Sequence, residues 1–312
     1  MKKEYKSLVA MIANAKRKGL VCASLCLMSC FFTVSAQVKL SFNPEKGAKY
    51  EYRMETVQTI KQNVMGQEIL METEMNGTYL MEIKEKTPQE IHAVLTYQEF
   101  RFVVSSMMMK IRYDSKKPIE NPSDMDKMFE KMFSTLIGKP FTVVFAPNGS
   151  VKSVTGMEEI IENMLKATSG EGQVVAIMGS QMTQLFNDEG MKNMFEQSFN
   201  FYPDNAVKVG DSWDTEITMP MGDMKFGIKT KNTLKKVSTN MATIEVAGDI
   251  NMDMGEGKFT GTQTGTMIVD TTTGLPVTSD VSLNMQGFFN AQGMEMQMEI
   301  ITKTKTTTKK GK

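Results

Sequence analysis

The stretch Ile69-Leu70-Met71-Glu72-Thr73-Glu74-Met75-Asn76-Gly77-Thr78-Tyr79-Leu80-Met81-Glu82-Ile83 decides how the chain is read. Ile69, Met71, Thr73 and Met75 alternate with Glu72 and Glu74, and Tyr79, Met81 and Ile83 alternate with Glu82 and Lys84. Successive side chains of a strand point to opposite faces, so this period of two predicts strands with one apolar and one wet face. That division belongs to antiparallel sheets. The same period runs through Tyr50, Tyr52 and Met54 upstream. Downstream it continues through Ile91, Ala93, Leu95 and Tyr97, then Phe100 and Phe102, then Met107, Met109, Ile111 and Tyr113, with Thr87-Pro88-Gln89 as a turn. No segment of helical period separates these strands, which argues against a parallel βαβ arrangement.

The middle of the chain changes period. Ser123 and Asp126 form a capping box, and Met125, Met128, Phe129, Met132, Phe133, Leu136 and Ile137 recur at helical spacing until Gly138. A hairpin follows, with Asn148-Gly149 as its turn. Thr155 and Glu158 open a second helix carrying Met157, Ile160, Ile161, Met164 and Leu165 towards Gly170. Residues 174–186 and 191–199 read as further helices, broken at 187–190 and stopped by Pro203. From Asp211 the period of two returns, in Trp213, Thr215 and Ile217, in Ile244 and Val246, in Leu283 and Met285, and in Met294, Met296, Met298 and Ile300. The predicted class is α+β: a broad curved antiparallel sheet of ten or more strands, with a central helical insert at about residues 123–200 covering its apolar face. Gly47-Ala48-Lys49-Tyr50 and Gly210-Asp211-Ser212-Trp213 open two similar blocks, so the strands read as two strand-rich halves of what can be one continuous curved sheet.

The ends differ from the body. Residues 1–36 read as a signal peptide, with basic Lys2, Lys3, Lys6, Lys16, Arg17 and Lys18, an apolar run from Leu20 to Val34, and the small residues Ser35 and Ala36 before Gln37. The rival processing is lipidation at Cys30. Cys22, Cys26 and Cys30 all lie in this segment, so cleavage after Ala36 leaves a chain without thiols or disulfides. The full chain of 312 residues has 36 basic and 36 acidic side chains, but residues 37–302 hold 25 against 35. An acidic body argues against nucleic-acid binding. Residues 37–302 are expected to be a single β-rich domain, and residues 303–312 a disordered Lys/Thr-rich tail.

The phrases Phe42-Asn43-Pro44-Glu45-Lys46-Gly47-Ala48-Lys49-Tyr50, Gly138-Lys139-Pro140-Phe141, Asn148-Gly149-Ser150-Val151, Val209-Gly210-Asp211-Ser212-Trp213 and Asp270-Thr271-Thr272-Thr273-Gly274-Leu275-Pro276 resemble a family of secreted, uncharacterised β-rich proteins of Gram-negative envelopes. The element order is similar, in architecture alone, to periplasmic lipoprotein-carrier proteins, whose curved sheet and helical lid enclose an apolar cavity. These resemblances imply a periplasmic, outer-membrane or extracellular address and assign no functional residue.

Most enzyme chemistry lacks its side chains. One histidine, His92, shares a strand face with Val94 and Thr96, and without Cys no Cys-His pair or N/S zinc site can form. Asp249, Asn251 and Asp253 resemble a calcium loop, but Met254 and Thr260 stand where Gly and Glu are required. Paired carboxylates for glycoside hydrolysis are not selected by any spacing. No catalytic residue, metal or cofactor is expected. Methionine is the unusual component, at 31 of 312 residues. Spread along both periods, it reads as core or cavity lining rather than as a Cu(I) site. The expected lining of an apolar cavity is Met128, Met132, Met164, Met194, Met285, Met294, Met296 and Met298. Two functions follow as expectations: an envelope protein binding a lipid, lipopeptide or other apolar ligand, and a structural envelope protein that docks another protein without a small ligand.

Overall fold

The computed structural model of the protein describes residues 37–64, 67–107, 109–168, 183, 186–221, 224–253, 257–291 and 294–311. The signal-peptide reading, with Cys30 and Ala36, lies outside the described residues, as does most of the helix read at 174–186. Twelve strands form one antiparallel sheet. The first six are β1 (Lys49–Val64), β2 (Gln67–Lys86), β3 (Ile91–Ser106), β4 (Lys110–Asp114), β5 (Pro140–Phe145) and β6 (Val151–Thr155). The second six are β7 (Ser212–Met221), β8 (Met224–Ser238), β9 (Met241–Asp253), β10 (Lys258–Asp270), β11 (Pro276–Ala291) and β12 (Met294–Lys310). The spatial order is β6-β5-β3-β2-β1-β12-β11-β10-β9-β8-β7, and β4 pairs with the half of β3 that β5 leaves free. Each half is a meander, and the halves join in mid-sheet where β1 lies against β12. The two strand-rich halves are therefore one continuous sheet. The runs at 69–75 and 79–83 form a single strand of 20 residues that keeps its parity across Gly77.

The C-terminal expectation is corrected. Residues 303–310 are not a disordered tail but the end of β12, paired with β1 from Gln58↔Thr302 to Tyr50↔Lys310 and with β11 as far as Thr278↔Thr307. A charge count reads this segment as solvated, but its alternation sorts the charge. Lys303, Lys305 and Lys309 fall on the exposed face, while Thr306 and Thr308 face inward and are buried. Threonine is a strong strand former, and the sorted Lys residues cost no burial. The Met107 to Tyr113 run also starts later than the period suggests: Met107 is 87% exposed in the turn before β4.

Three helices among the described residues, α1 (Asp124–Ser134), α2 (Glu158–Thr168) and α3 (Asp188–Phe199), lie between β4 and β7. The Ser123 hydroxyl accepts from the Asp126 N–H and the Asp126 carboxylate accepts from the Ser123 N–H, completing the capping box. Asp126 also accepts from the Arg112 backbone at 2.6 Å and guanidinium at 2.8 Å, which bolts α1 to β4. At α2 the expected Thr155 cap is replaced: Glu158 accepts from Gly156 N–H, and Met157 N–H donates to Asp188. The break read at 187–190 is the cap and first turn of α3, since Asn187 accepts from Gly190 N–H at 2.7 Å. The N-terminal segment crosses the strand ends, with Phe42 N–H donating to Pro147 and Asn43 N–H to Thr273. Gly274, at φ +74°, sits where any Cβ would collide with the Ser41 carbonyl.

Two outcomes test these contacts. Deleting residues 302–312 is expected to abolish cooperative thermal unfolding followed by circular dichroism; a retained transition would show that β12 is dispensable. Burial alone would push the Asp126 carboxyl up, but its hydrogen bonds from Arg112 and Ser123 outweigh that and hold it below the usual aspartate range. A depressed native pKa stabilises the fold above the unfolded value and loses that contribution as pH falls through the native one. Asp126→Asn should therefore cost about 2 kcal/mol at neutral pH, in urea unfolding, with the deficit shrinking below roughly pH 3–4.

Candidate functional site

The inner face of the sheet divides along its strands. Near the chain crossing, Tyr52, Tyr79 and Tyr97 from β1 to β3, Phe141 and Phe145 from β5, and Leu234, Ile244 and Val269 from β8 to β10 form one buried core. The helices seal it: Met128, Phe129, Met132 and Phe133 of α1, Ile160 and Met164 of α2, and Met191, Phe195 and Phe199 of α3 all belong to it. Aromatic rings fill the space, for example Phe100 and Phe133 at 4.9 Å and Phe145 and Phe199 at 5.1 Å. The Tyr79 hydroxyl donates to the Tyr97 hydroxyl at 3.0 Å, and Tyr97 turns its own proton toward the Met191 sulfur at 3.8 Å. Burial pushes the Tyr52 phenol up to about 12 and raises Tyr79, Tyr97 and Tyr202 further above the ordinary value.

The described helices pack on only one of the two apolar clusters of this face. A 20-residue strand extends for about 66 Å, whereas an 11-residue helix is about 16 Å long. Beyond the helices, towards the hairpin ends at 64–67 and 291–294, lies a second apolar cluster. It is built by Phe226, Ile228, Ile250, Phe259, Met285 and Ile300, flanked by half-buried Ile60, Ile217, Met252, Leu283 and Met298. Every described member comes from a strand and none from a helix. Phe259 lies over Gly287 of β11, where a Cβ would meet the Phe259 ring at 2.6 Å. In this distal trough those six side chains are buried, while Ile217 and Leu283 beside them are partly open to solvent.

The eight methionines expected to line one cavity fall in two places. Met128, Met132 and Met164 are packed inside the helix-covered core, with Met194 half-buried at its edge. Met285 and Met298 belong to the distal cluster, and Met296 lies beside them, accepting from the Gln62 amide at 3.1 Å. Met294 is the first residue of β12, and its side chain lies outside the described ones. A depression of about 480 Å³ opens on the opposite face, lined by Lys61, Glu68, Gln286, Phe288, Gln297 and Glu299, with Lys61 and Glu299 paired at 2.8 Å. Its lining mixes polar and apolar surface and includes Met298 of the expected methionines, but none of the helical ones. His92 stands half-buried on the outer face beside Glu90 at 3.2 Å. Asp249, Asn251 and Asp253 lie on the exposed face of β9, a regular strand rather than a loop. Among the described residues, no group of three His, Cys, Asp or Glu side chains is placed to hold a metal ion.

A feature that period analysis passes over separates the two apolar clusters. Thr215, Thr230, Gln263, Thr302, Gln58 and Thr73 stand in one cross-strand row on the inner face, with Gly248 between Thr230 and Gln263 and Leu283 of the distal cluster between Gln263 and Thr302. In a single strand each reads as an ordinary inward polar residue; only the register aligns them.

The family model for a "Family of unknown function (DUF6263)" matches residues 90–276, more than half of the chain and most of this architecture from β3 to the start of β11. The protein belongs to the DUF6263 family. No curated protein sequence matches this DUF6263 member. Among solved structures it is similar to lipovitellin, described by its lipid–protein interactions, at 10% identity and a TM-score of 0.40, covering 85% of this chain and 25% of that one. The DUF6263 chain thus spans about a quarter of the lipovitellin chain. An outer-membrane channel of Pseudomonas putida F1 matches at 7% identity and a TM-score of 0.23, covering 86% of this chain and 98% of that one. A DUF1329 family protein of Desulfovibrio piger matches at 11% identity and a TM-score of 0.15, covering 85% and 86%. At such identities and scores, none of these likenesses bears on what the DUF6263 protein does.

Spectrophotometric titration checks the sealed core of this DUF6263 member. Tyr52, Tyr79, Tyr97 and Tyr202 should show no phenolate absorbance until pH 12 or above, and then only together with unfolding. Raised native values favour the fold below the unfolded phenol value of about 10, and that contribution is lost as pH rises. Reversible ionisation of all the tyrosines near pH 10 in the folded protein would show an open interior.

Proposed function

We propose that the protein is a non-enzymatic envelope protein, exported through a cleaved N-terminal signal, that holds a lipid or another apolar chain in the distal trough. The observation that carries this reading is the second apolar cluster, from Phe226 to Ile300, on a part of the inner face to which no described helix contributes. Folding alone is served by the sealed core; a further apolar cluster at the far end of long strands, edged by partly open Ile217 and Leu283, is what a hydrocarbon chain requires. The lining reading narrows accordingly to Met285, Met296 and Met298 with Ile217, Leu283 and Ile60, while Met128, Met132, Met164 and Met194 act as core. Unbranched Met at the trough suits chains of differing shape. The non-enzymatic part rests on the sequence, whose residues 37–312 hold one His and no Cys.

A second reading, docking of an envelope protein, draws support from β7, an edge strand of 10 residues that pairs with β8 alone among the described strands. Main-chain groups at such an edge can take an added strand.

The fluorescence of 1-N-phenylnaphthylamine distinguishes them. Saturable enhancement is expected with the wild type. Ile217→Lys and Leu283→Lys should weaken binding about tenfold or more, the worth of one buried aliphatic side chain. Thr262→Lys, on the exposed face of β10, should leave it unchanged. Absence of binding by wild type, or equal binding by all variants, would remove the trough reading and leave the edge.

A further inference from the structure

The polar row across the trough points to the kind of molecule held there. Two pairs of its members are joined side chain to side chain. Gln58 donates to Thr302 at 3.2 Å, Thr230 donates to Gln263 at 3.1 Å, and Thr56 and Thr304 meet at 3.3 Å one step towards the core. The Thr230–Gln263 bond runs from β8 to β10 over Gly248 of β9, where a Cβ would come within 3.3 Å of the Thr230 hydroxyl. The glycine keeps this crossing open. Residues of the row are half-buried, so the belt is reachable from the trough; the next row towards the core adds Asn232, Thr56 and Thr304, and the row on the other side, with Ile217, Ile228, Ile250, Met285, Ile300 and Ile60, is apolar.

Two further observations select a chemistry. The belt contains no ionisable group: Lys229, Lys231, Asp249 and Lys303 on the same strands all have the opposite parity and face outward. A charged headgroup brought here would lose its hydration without a countercharge. Beside the belt, Asn232 is fully buried, its amide donating to Thr215 at 3.1 Å, while its carbonyl oxygen accepts from no group. Buried acceptors are nearly always satisfied, and leaving one empty costs about 1–3 kcal/mol. A hydroxyl or amide N–H is the kind of group that satisfies such an oxygen.

We propose that the belt receives the uncharged, hydrogen-bonding polar group of an amphiphile, such as a glycerol ester or fatty amide, whose hydrocarbon lies on the distal cluster. The Asn232 carbonyl oxygen accepts a hydrogen bond from it, and the Thr and Gln side chains, able to donate and accept, match a hydroxylated group in more than one pose. This rests on the apolar-ligand reading above and adds to it the class of headgroup.

The test uses the full-length protein and displacement of 1-N-phenylnaphthylamine by three compounds with the same oleoyl chain: monooleoylglycerol, oleate at pH 8, and dioleoylphosphatidylglycerol. Monooleoylglycerol should displace the probe about tenfold more effectively than the two anions, the worth of one satisfied buried acceptor. Asn232→Leu should lose that preference, with each displacement read relative to the variant's own affinity for the probe. If Asn232→Leu lacks a thermal transition, Thr230→Val, which breaks the half-buried Gln263 pair, is the substitute and should reduce the preference at least threefold. Equal displacement by all three compounds overturns the belt proposal and leaves the trough. A preference that survives the substitution means that the Asn232 acceptor is met by water, and also overturns it. Failure of the wild type to bind the probe removes the trough reading itself.

Discussion

Everything in this protein depends on the antiparallel pairing of β1 with β12. It welds two six-stranded meanders into one sheet, and it places Tyr52 opposite Thr308, Thr56 opposite Thr304 and Ile60 opposite Ile300 on the inner face. Those three pairs are the proximal core, the polar belt and the distal trough in miniature. A slip of one residue would turn each of them outward and put Glu51, Glu55 and Lys303 inside. Cross-strand pairs contribute only about 0.2–1 kcal/mol each, so it is the length of the ladder that fixes the register.

Length also explains why the interior is not uniform. The chain needs a crossover from β6, at one edge, to β7, at the other, and uses it to carry α2 and α3 over the strand ends. Helices of 11 or 12 residues cannot follow strands of up to 20 to their tips. Most aromatic residues gather where the helices are, at Phe129, Phe133, Phe195 and Phe199, and among the described residues the opposite end is left to strand residues, Phe226 and Phe259 with Ile, Met and Leu. One end of the inner face is thus packed by helices and strands, and the other, among the described residues, by strands alone.

Much of this was legible in the sequence. Period two found the strands, and the Ser123–Asp126 box and the Met128, Phe129, Met132, Phe133 stripe found α1, because each is a local pattern. What escaped were properties of pairing. The C-terminal Lys and Thr residues look solvated one by one, and become a central strand only when Thr302, Thr304, Thr306 and Thr308 are seen against β1. The methionines look equivalent along the chain, yet Met164 and Met298 end in different clusters. The belt is invisible for the same reason, since its side chains come from strands that meet only in the sheet.

The position of β12 has a consequence for how the molecule comes to exist. A ribosome or a translocation pore delivers the chain from its N-terminal end, so β1 emerges early and waits with one edge bare until nearly the whole sequence has followed. Contacts this far apart in sequence are slow to form and leave apolar strands exposed meanwhile. The seam between the halves is therefore the last part of the sheet to close, and the protein must be kept from pairing with its neighbours until its final strand arrives to claim the middle.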